Sequence, residues 1–187
     1  PLAELLPLAP LAPGLPAQAW TAQRGVGSGD SAACKASEDS PLPSVGACVV
    51  LDTNIVLDLL VFADPAVRPL PPLLASGALR WIAAPAMRVE LERVLGYPQI
   101  APRLDYYGLS AAQVLQAFDA QTHAVAPAPR ASAVCKDPDD QQFIDLAVQY
   151  RAILLSKDQA VLRLRKRLMA HGVEVSSLCL TIESPNT

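Results

Sequence analysis

Histidine and cysteine are scarce in this chain. Its 187 residues hold two histidines, His123 and His171, and four cysteines, Cys34, Cys48, Cys135 and Cys179, far apart and with no CxxC pair. That scarcity argues against a zinc site of the usual ligand spacing and against a disulfide framework, and it points to a reducing, cytoplasmic setting. An excess of positive charge is missing too. Fifteen Lys and Arg face 18 Asp and Glu, a net of −3, so no overall basic field marks a DNA-binding protein and any nucleic-acid contact must be local. Charged residues make up only 18% of the chain against 51% hydrophobic, which excludes a highly charged disordered chain and supplies a core of ordinary size. No run of about 18 apolar residues free of proline and polar groups occurs, so no membrane span is expected.

What is present divides unevenly. Residues 1–46 hold seven of the 18 prolines and five of the nine glycines. Each proline removes a donor and fixes φ, so this stretch is expected to be a disordered extension. Ala17-Gln18-Ala19 looks like a small-residue cleavage site, but no basic segment precedes it and prolines interrupt the apolar stretch, so a secretory signal is not expected. The folded domain is expected over residues 47–180, with 181–187 as a tail. A stable proteolytic core starting near Ala47 would check that boundary.

From Ala47 onward, strand and helix patterns alternate. Cys48-Val49-Val50-Leu51, Leu79–Ala83, Ala152–Leu155 and Val173–Val175 read as short buried strands, and Val134-Cys135 as a possible fifth. Helices are predicted over Ile55–Phe62, Pro69–Ser76, Pro85–Leu95, Ala111–Thr122 with Ser110 as N-cap, Asp139–Tyr150, and Gln159–Ala170. Strands separated by helices imply right-handed crossovers. The expected fold is therefore α/β: a three-layer αβα sandwich around a mainly parallel sheet of four to five strands.

Ligands of such sheets bind beyond the carboxyl ends of the strands. Acids gather there. Asp52 ends the first strand and Asp158 follows the penultimate one; Glu90 and Glu92 lie in the helix after strand two, and Asp137, Asp139 and Asp140 open the helix leading to Asp158. Carboxylates brought to one rim repel each other, and among these turns Lys157 is the sole basic neighbour. A hard divalent ion resolves the conflict, because Mg²⁺ or Mn²⁺ takes carboxylate oxygens plus waters and leaves positions open for phosphate. The chemistry that follows is metal-assisted hydrolysis of a phosphodiester.

Val49-Val50-Leu51-Asp52-Thr53-Asn54, Arg88 to Leu95, Asp137-Pro138-Asp139-Asp140 with Phe143 to Ala147, and Leu154-Leu155-Ser156-Lys157-Asp158 together resemble the PIN-domain ribonucleases. The likeness is to the group described as toxin components of toxin–antitoxin systems, related to VapC, and it spans roughly residues 47–177. It implies a metal site of Asp52, Glu90, Asp140 and Asp158, with Asn54 and Ser156 holding the first acid or a bound water. It further implies Mg²⁺ or Mn²⁺, endoribonuclease activity on RNA, homodimers and an antitoxin partner. Ser156-Lys157-Asp158 departs from the family's usual Thr-Gly-Asp or Thr-Arg-Asp; the hydroxyl is kept, and Lys157 is a candidate for altered substrate contact.

Each acid also has a plain structural role open to it. Asp52 suits a turn, Asp158 an N-cap, and the acids near 139 a helix N-terminus, with Asp139 the expected N-cap and Asp137 a supporting candidate. Glu90 and Glu92 point roughly 200° apart on a helix, so only one can face the site; the resemblance selects Glu90. Val89, Val94 and Leu95 are expected to pack inward beside Leu91. With four acids neutralised, residues 47–187, which carry 13 basic and 14 acidic side chains for a net of −1, would sum to +3. Arg163, Lys166 and Arg167, on one helix side, are candidate RNA contacts or a solvated face. Trp81 and Tyr106-Tyr107 are expected to be core and loop packing. Two other readings compete: a catalytically inactive PIN-like module that docks RNA or protein, and a receiver-type module, which would want a late lysine and an isolated acceptor Asp.

Overall fold

The computed structural model of the chain describes residues 46–177. The expected extension, except Gly46, and the tail at 181–187 lie outside the described residues, as do Cys34 and Cys179. Elements run β1 (Ala47–Leu51), α1 (Thr53–Leu57) continuing into a π turn (Asp58–Phe62), a 3₁₀ turn (Pro65–Val67), α2 (Leu70–Ala75), β2 (Leu79–Ala83), α3 (Pro85–Leu95), α4 (Ala101–Tyr107), α5 (Ala111–Gln121), β3 (His123–Ala124), α6 (Gln141–Tyr150), β4 (Ile153–Leu155), α7 (Gln159–Leu162), α8 (Arg165–Met169) and β5 (Val175–Ser176). All strands pair in parallel, in the order β3-β2-β1-β4-β5. The chain therefore winds outward from β1 in one direction and then from β4 in the other. The order reverses between β1 and β4.

The central strand is buried on both sides, which explains why Val49-Val50-Leu51 reads as an unbroken apolar run rather than an alternation. Trp81 of β2 is core, as expected, and meets Phe118 of α5 edge to face with centroids 5.2 Å apart. Pro85 opens α3 and Gly96 follows its last residue, matching the sequence reading. Met87, Leu91 and Leu95 carry its buried stripe at intervals of four; Val89, contrary to expectation, is exposed because it lies off that stripe, and Val94 is half-buried. Ser110 caps α5 through a reciprocal pair: its hydroxyl accepts from Gln113 N–H, and Gln113 Oε1 accepts from Ser110 N–H at 2.8 Å. Ser110→Ala is expected to lower unfolding free energy by about 1 kcal/mol, with a denaturation midpoint shift at unchanged slope.

Four local expectations fail for identifiable reasons. Val134-Cys135 forms no strand, because the Gln141 side chain supplies the bonds a strand partner would: Cys135 N–H donates to Gln141 Oε1 at 2.8 Å and Gln141 Nε2 donates to Ala133 carbonyl at 3.1 Å. The edge strand is instead β3, whose exposed residues carry no alternation to read. The helix after β4 breaks at Arg163–Leu164, where Leu164 N–H reaches back three residues to Val161 carbonyl and tightens the turn. Tyr106-Tyr107 lie on α4 rather than a loop, with Tyr106 exposed to solvent.

Candidate functional site

Asp52 leaves β1 at the point where the strand order reverses. It is buried, it occupies the N-cap of α1, and both oxygens are held: Ser156 Oγ donates to Oδ2 at 2.7 Å, and Asn54 N–H donates to Oδ1 at 3.4 Å. Asn54 thus supports the first acid through its backbone, while its side chain is exposed. Ser156 follows β4, the strand beside β1, so one parallel pair brings together residues 104 positions apart. Burial pushes the Asp52 carboxyl above its ordinary pKa; the Ser156 hydroxyl pulls it down and the charge of Asp158 pushes it up again.

Glu90 enters from α3. Thr53 Oγ1 donates to its Oε1 at 2.9 Å, and Gln142 Nε2 donates to its Oε2, so a residue after β1 and one on α6 grip the two oxygens. Burial raises Glu90; the Thr53 hydroxyl and Arg93 oppose this, and Asp52 and Asp139 add to it. Glu92 is turned outward, 3.7 Å from Arg88. Glu90 lines the cleft and Glu92 does not.

Asp140 sits at the N-cap position of α6, with no capping bond from its side chain. That frees the carboxylate for the cleft. Asp139, expected as the cap, instead pairs with Arg93 at 3.6 Å, and its N–H is taken by Asp137 Oδ1 at 3.0 Å. Asp137 is exposed; its side chain bonds within this turn, and only its charge reaches the cleft, at Asp140. Asp140 has the largest upward shift of the cluster, to about 7, caused first by burial and then by the charges of Asp52, Asp158, Asp137 and Glu90. Cys135 Sγ approaches Asp140 Oδ2 at 4.0 Å, and burial pushes that thiol up, which keeps it protonated and inert.

Asp158 caps α7, its Oδ1 accepting from Ala160 N–H at 2.5 Å, and its own N–H donates to Ser156 Oγ at 3.0 Å. The plain cap role and proximity to the cluster hold together, since its charge reaches both Asp52 and Asp140. Lys157 turns away. Its ammonium pairs with Asp58 at 2.5 Å and Asp64 at 3.3 Å, and Asp58 foremost pushes its pKa up. Arg163, Lys166 and Arg167 are exposed around α7 and α8.

Asp52, Glu90 and Asp140 line a cleft of about 380 Å³ together with Thr53, Asn54 and Arg93. Among the described residues no three acidic, histidine or cysteine side chains are drawn tightly enough to enclose an ion unaided. The donor set is nevertheless all carboxylate oxygen, under mutual repulsion that protons or a cation would relieve. Such a set suits a hard divalent ion that keeps several of its waters and takes one or two carboxylates directly. Thr53, Gln142 and Arg93 were not singled out from the sequence. Thr53 lies inside the Asp52-Thr53-Asn54 turn, and Gln141-Gln142 is a polar pair at the start of α6; these were the available signals.

Among solved structures the chain is similar to the crystal structure of VapBC2 from Rickettsia felis bound to a DNA fragment from their promoter, at 12% identity and a TM-score of 0.48, covering 69% of this chain and 97% of that one. No curated protein matches it. A family model described as PIN domain matches residues 48–160, more than half of the sequence and the whole stretch from β1 to the start of α7 that carries the acids. The chain belongs to the PIN domain family.

Proposed function

We propose that this protein is a metal-dependent endoribonuclease that hydrolyses RNA phosphodiester bonds, with Asp52, Glu90, Asp140 and Asp158 as its metal-site residues and Mg²⁺ or Mn²⁺ as the ion. One observation carries the reading. Asp52, Glu90 and Asp140, from segments far apart in sequence, line one cleft where the sheet order reverses; burial and neighbouring acids raise the pKa of each, the charge of Asp158 reaches Asp52 and Asp140, and Lys157 is committed elsewhere. A divalent ion in such a cluster acidifies water and neutralises charge developing on phosphate. The chain's own residues do the rest. Ser156 and Asn54 fix Asp52, Thr53 and Gln142 fix Glu90, and the exposed Arg163, Lys166 and Arg167 offer phosphate contacts. Role as the toxin of a toxin–antitoxin pair, an antitoxin partner, a homodimer and a cytoplasmic setting follow the sequence resemblance.

Purified protein with a mixed RNA pool and Mn²⁺ or Mg²⁺ is expected to give fragments with 5′-phosphate and 3′-hydroxyl ends. EDTA is expected to stop cleavage, and excess Mn²⁺ to restore it. Cleavage undiminished by EDTA would overturn the reading. A second reading, the inactive binding module, is favoured by the loose spacing of the ligands. It predicts little Mn²⁺-dependent rise in melting temperature, whereas a working site stabilises the fold by mass action.

A further inference from the structure

Resting on the nuclease reading above, we propose that Lys157 is a positioning residue for the metal site: through Asp58 and Asp64 it anchors the turn that presents Ser156 and Asp158. Of three consecutive residues after β4, two grip the α1–π-turn element at separate points and the third caps α7. Ser156 donates to Asp52 at the head of α1, Asp158 caps α7 beside the acid cluster, and Lys157 between them reaches the far end of the α1–π-turn element. Adjacent side chains leave an extended turn in opposing directions, so an outward anchor at 157 fixes the facing of 156 and 158.

The receiving side is built for this contact. Asp58 is buried at the first residue of the π turn, and the Lys157 ammonium 2.5 Å from its Oδ2 is the contact that keeps that oxygen from being an isolated buried anion. Asp64 N–H donates to Asp58 carbonyl at 3.0 Å, closing the π turn just beyond Ala63, whose φ of 50° is left-handed. The two Asp64 oxygens divide their work, Oδ1 accepting from Ala66 N–H at 2.8 Å and Oδ2 facing Lys157. These contacts join segments 93 and 99 residues apart, and they run through the same α1 element whose first turn begins at Asp52. A π turn in place of regular helix shifts Asp58 and Asp64 relative to each other, and such turns cluster at functional sites.

The test compares wild type, Lys157→Met, Lys157→Arg and the double variant Asp58→Asn/Lys157→Met. The double variant removes both charges, so it folds even if the lone methionine, by stranding Asp58, does not. Lys157→Met and the double variant are expected to bind Mn²⁺ about 10- to 100-fold more weakly in calorimetric titration and to lose kcat by a similar factor, as removal of a supporting partner typically does, with KM for RNA nearly unchanged. Lys157→Arg is expected to recover most of both. Amide exchange at Asp158 and Ala160 is expected to quicken in the two methionine variants while that of Val50 and Leu51 holds. Unchanged Mn²⁺ affinity, kcat and exchange in the double variant would overturn the proposal. A rise in KM alone would overturn it differently, making Lys157 an RNA contact. If wild type neither binds Mn²⁺ nor cuts RNA, the nuclease reading falls, and the exchange data still decide whether Lys157 orders the turn.

Discussion

Asp52→Asn is expected to reduce metal-dependent RNA cleavage by about 10³-fold while leaving the fold intact, because removing one preorganised charge from such a site typically sacrifices two to three decades of rate. The substitution is close to isosteric. The asparagine oxygen can still accept from Asn54 N–H, and its amide can donate to Ser156 Oγ in place of the bond that hydroxyl gave Oδ2, so the local bonds that hold the α1 N-terminus are re-formed with one of them reversed. What disappears is a negative charge that burial already disfavours. The metal-free variant is therefore expected to melt at the same temperature as wild type or slightly above it at neutral pH. Activity and stability moving in opposite directions identify a ligand, since a merely structural aspartate would take both down. Glu92→Gln is the matched control: its carboxylate is exposed and faces Arg88, and its loss is expected to leave cleavage within about twofold, as surface pairs contribute little. Scanning calorimetry and a gel-based cleavage assay on the two variants decide the matter.

The fold was legible where hydrophobic period and punctuation agree. Pro85 and Gly96 bracket α3 to the residue, Ser110 announces α5, and the four-residue run ending at Leu51 marks the central strand. It was illegible where the bonds that build structure come from side chains far away or from no pattern at all. Gln141 replaces a strand partner for Cys135, which no local propensity encodes, and β3 is two exposed residues held by Ile82 and Ala83 of β2. The acids are a different case. Their positions at strand ends were readable, and topology alone then predicts a shared rim. How each is held was legible only in part: the resemblance named Ser156 and Asn54 as holding the first acid, whereas Thr53 and Gln142, which grip Glu90, are neutral groups whose importance comes from placement rather than residue type. Lys157 shows the limit most plainly. From sequence it is a stray cation beside the acids, a natural candidate for RNA contact; in the fold its charge belongs to Asp58 and Asp64.

Acidification sets protons against metal at Asp140. Its carboxyl titrates at about 7 in the folded chain, against 3.8 for an ordinary aspartate, with burial the first cause and the charges of Asp52 and Asp158 next. Between those values the folded chain holds a proton that the unfolded chain has released. The stability this proton confers is complete below the lower value and is lost as pH rises through the upper one. Metal-free protein is therefore expected to melt higher at pH 6 than at pH 8. The carboxyl is partly open to water, which screens the neighbouring charges, so the difference is expected to be about 2–4 °C rather than what the full shift would imply. Mn²⁺ cancels the trend. The ion needs the carboxylate, so each proton taken up by Asp140 is a ligand withdrawn, and lowering pH from 7.5 to 5.5 is expected to weaken Mn²⁺ binding roughly 20-fold. At saturating Mn²⁺ Asp140 is a carboxylate in both the folded and the unfolded chain, so the melting temperature should be nearly independent of pH across the range in which the metal-free protein's falls. Asp140→Asn is expected to abolish the metal-free slope and the pH dependence of Mn²⁺ binding, because it removes the titrating group without adding charge. Parallel melting curves with and without Mn²⁺ at all pH values would mean that Asp140 neither titrates near 7 nor binds the ion, and the cluster would then be held by hydrogen bonds alone.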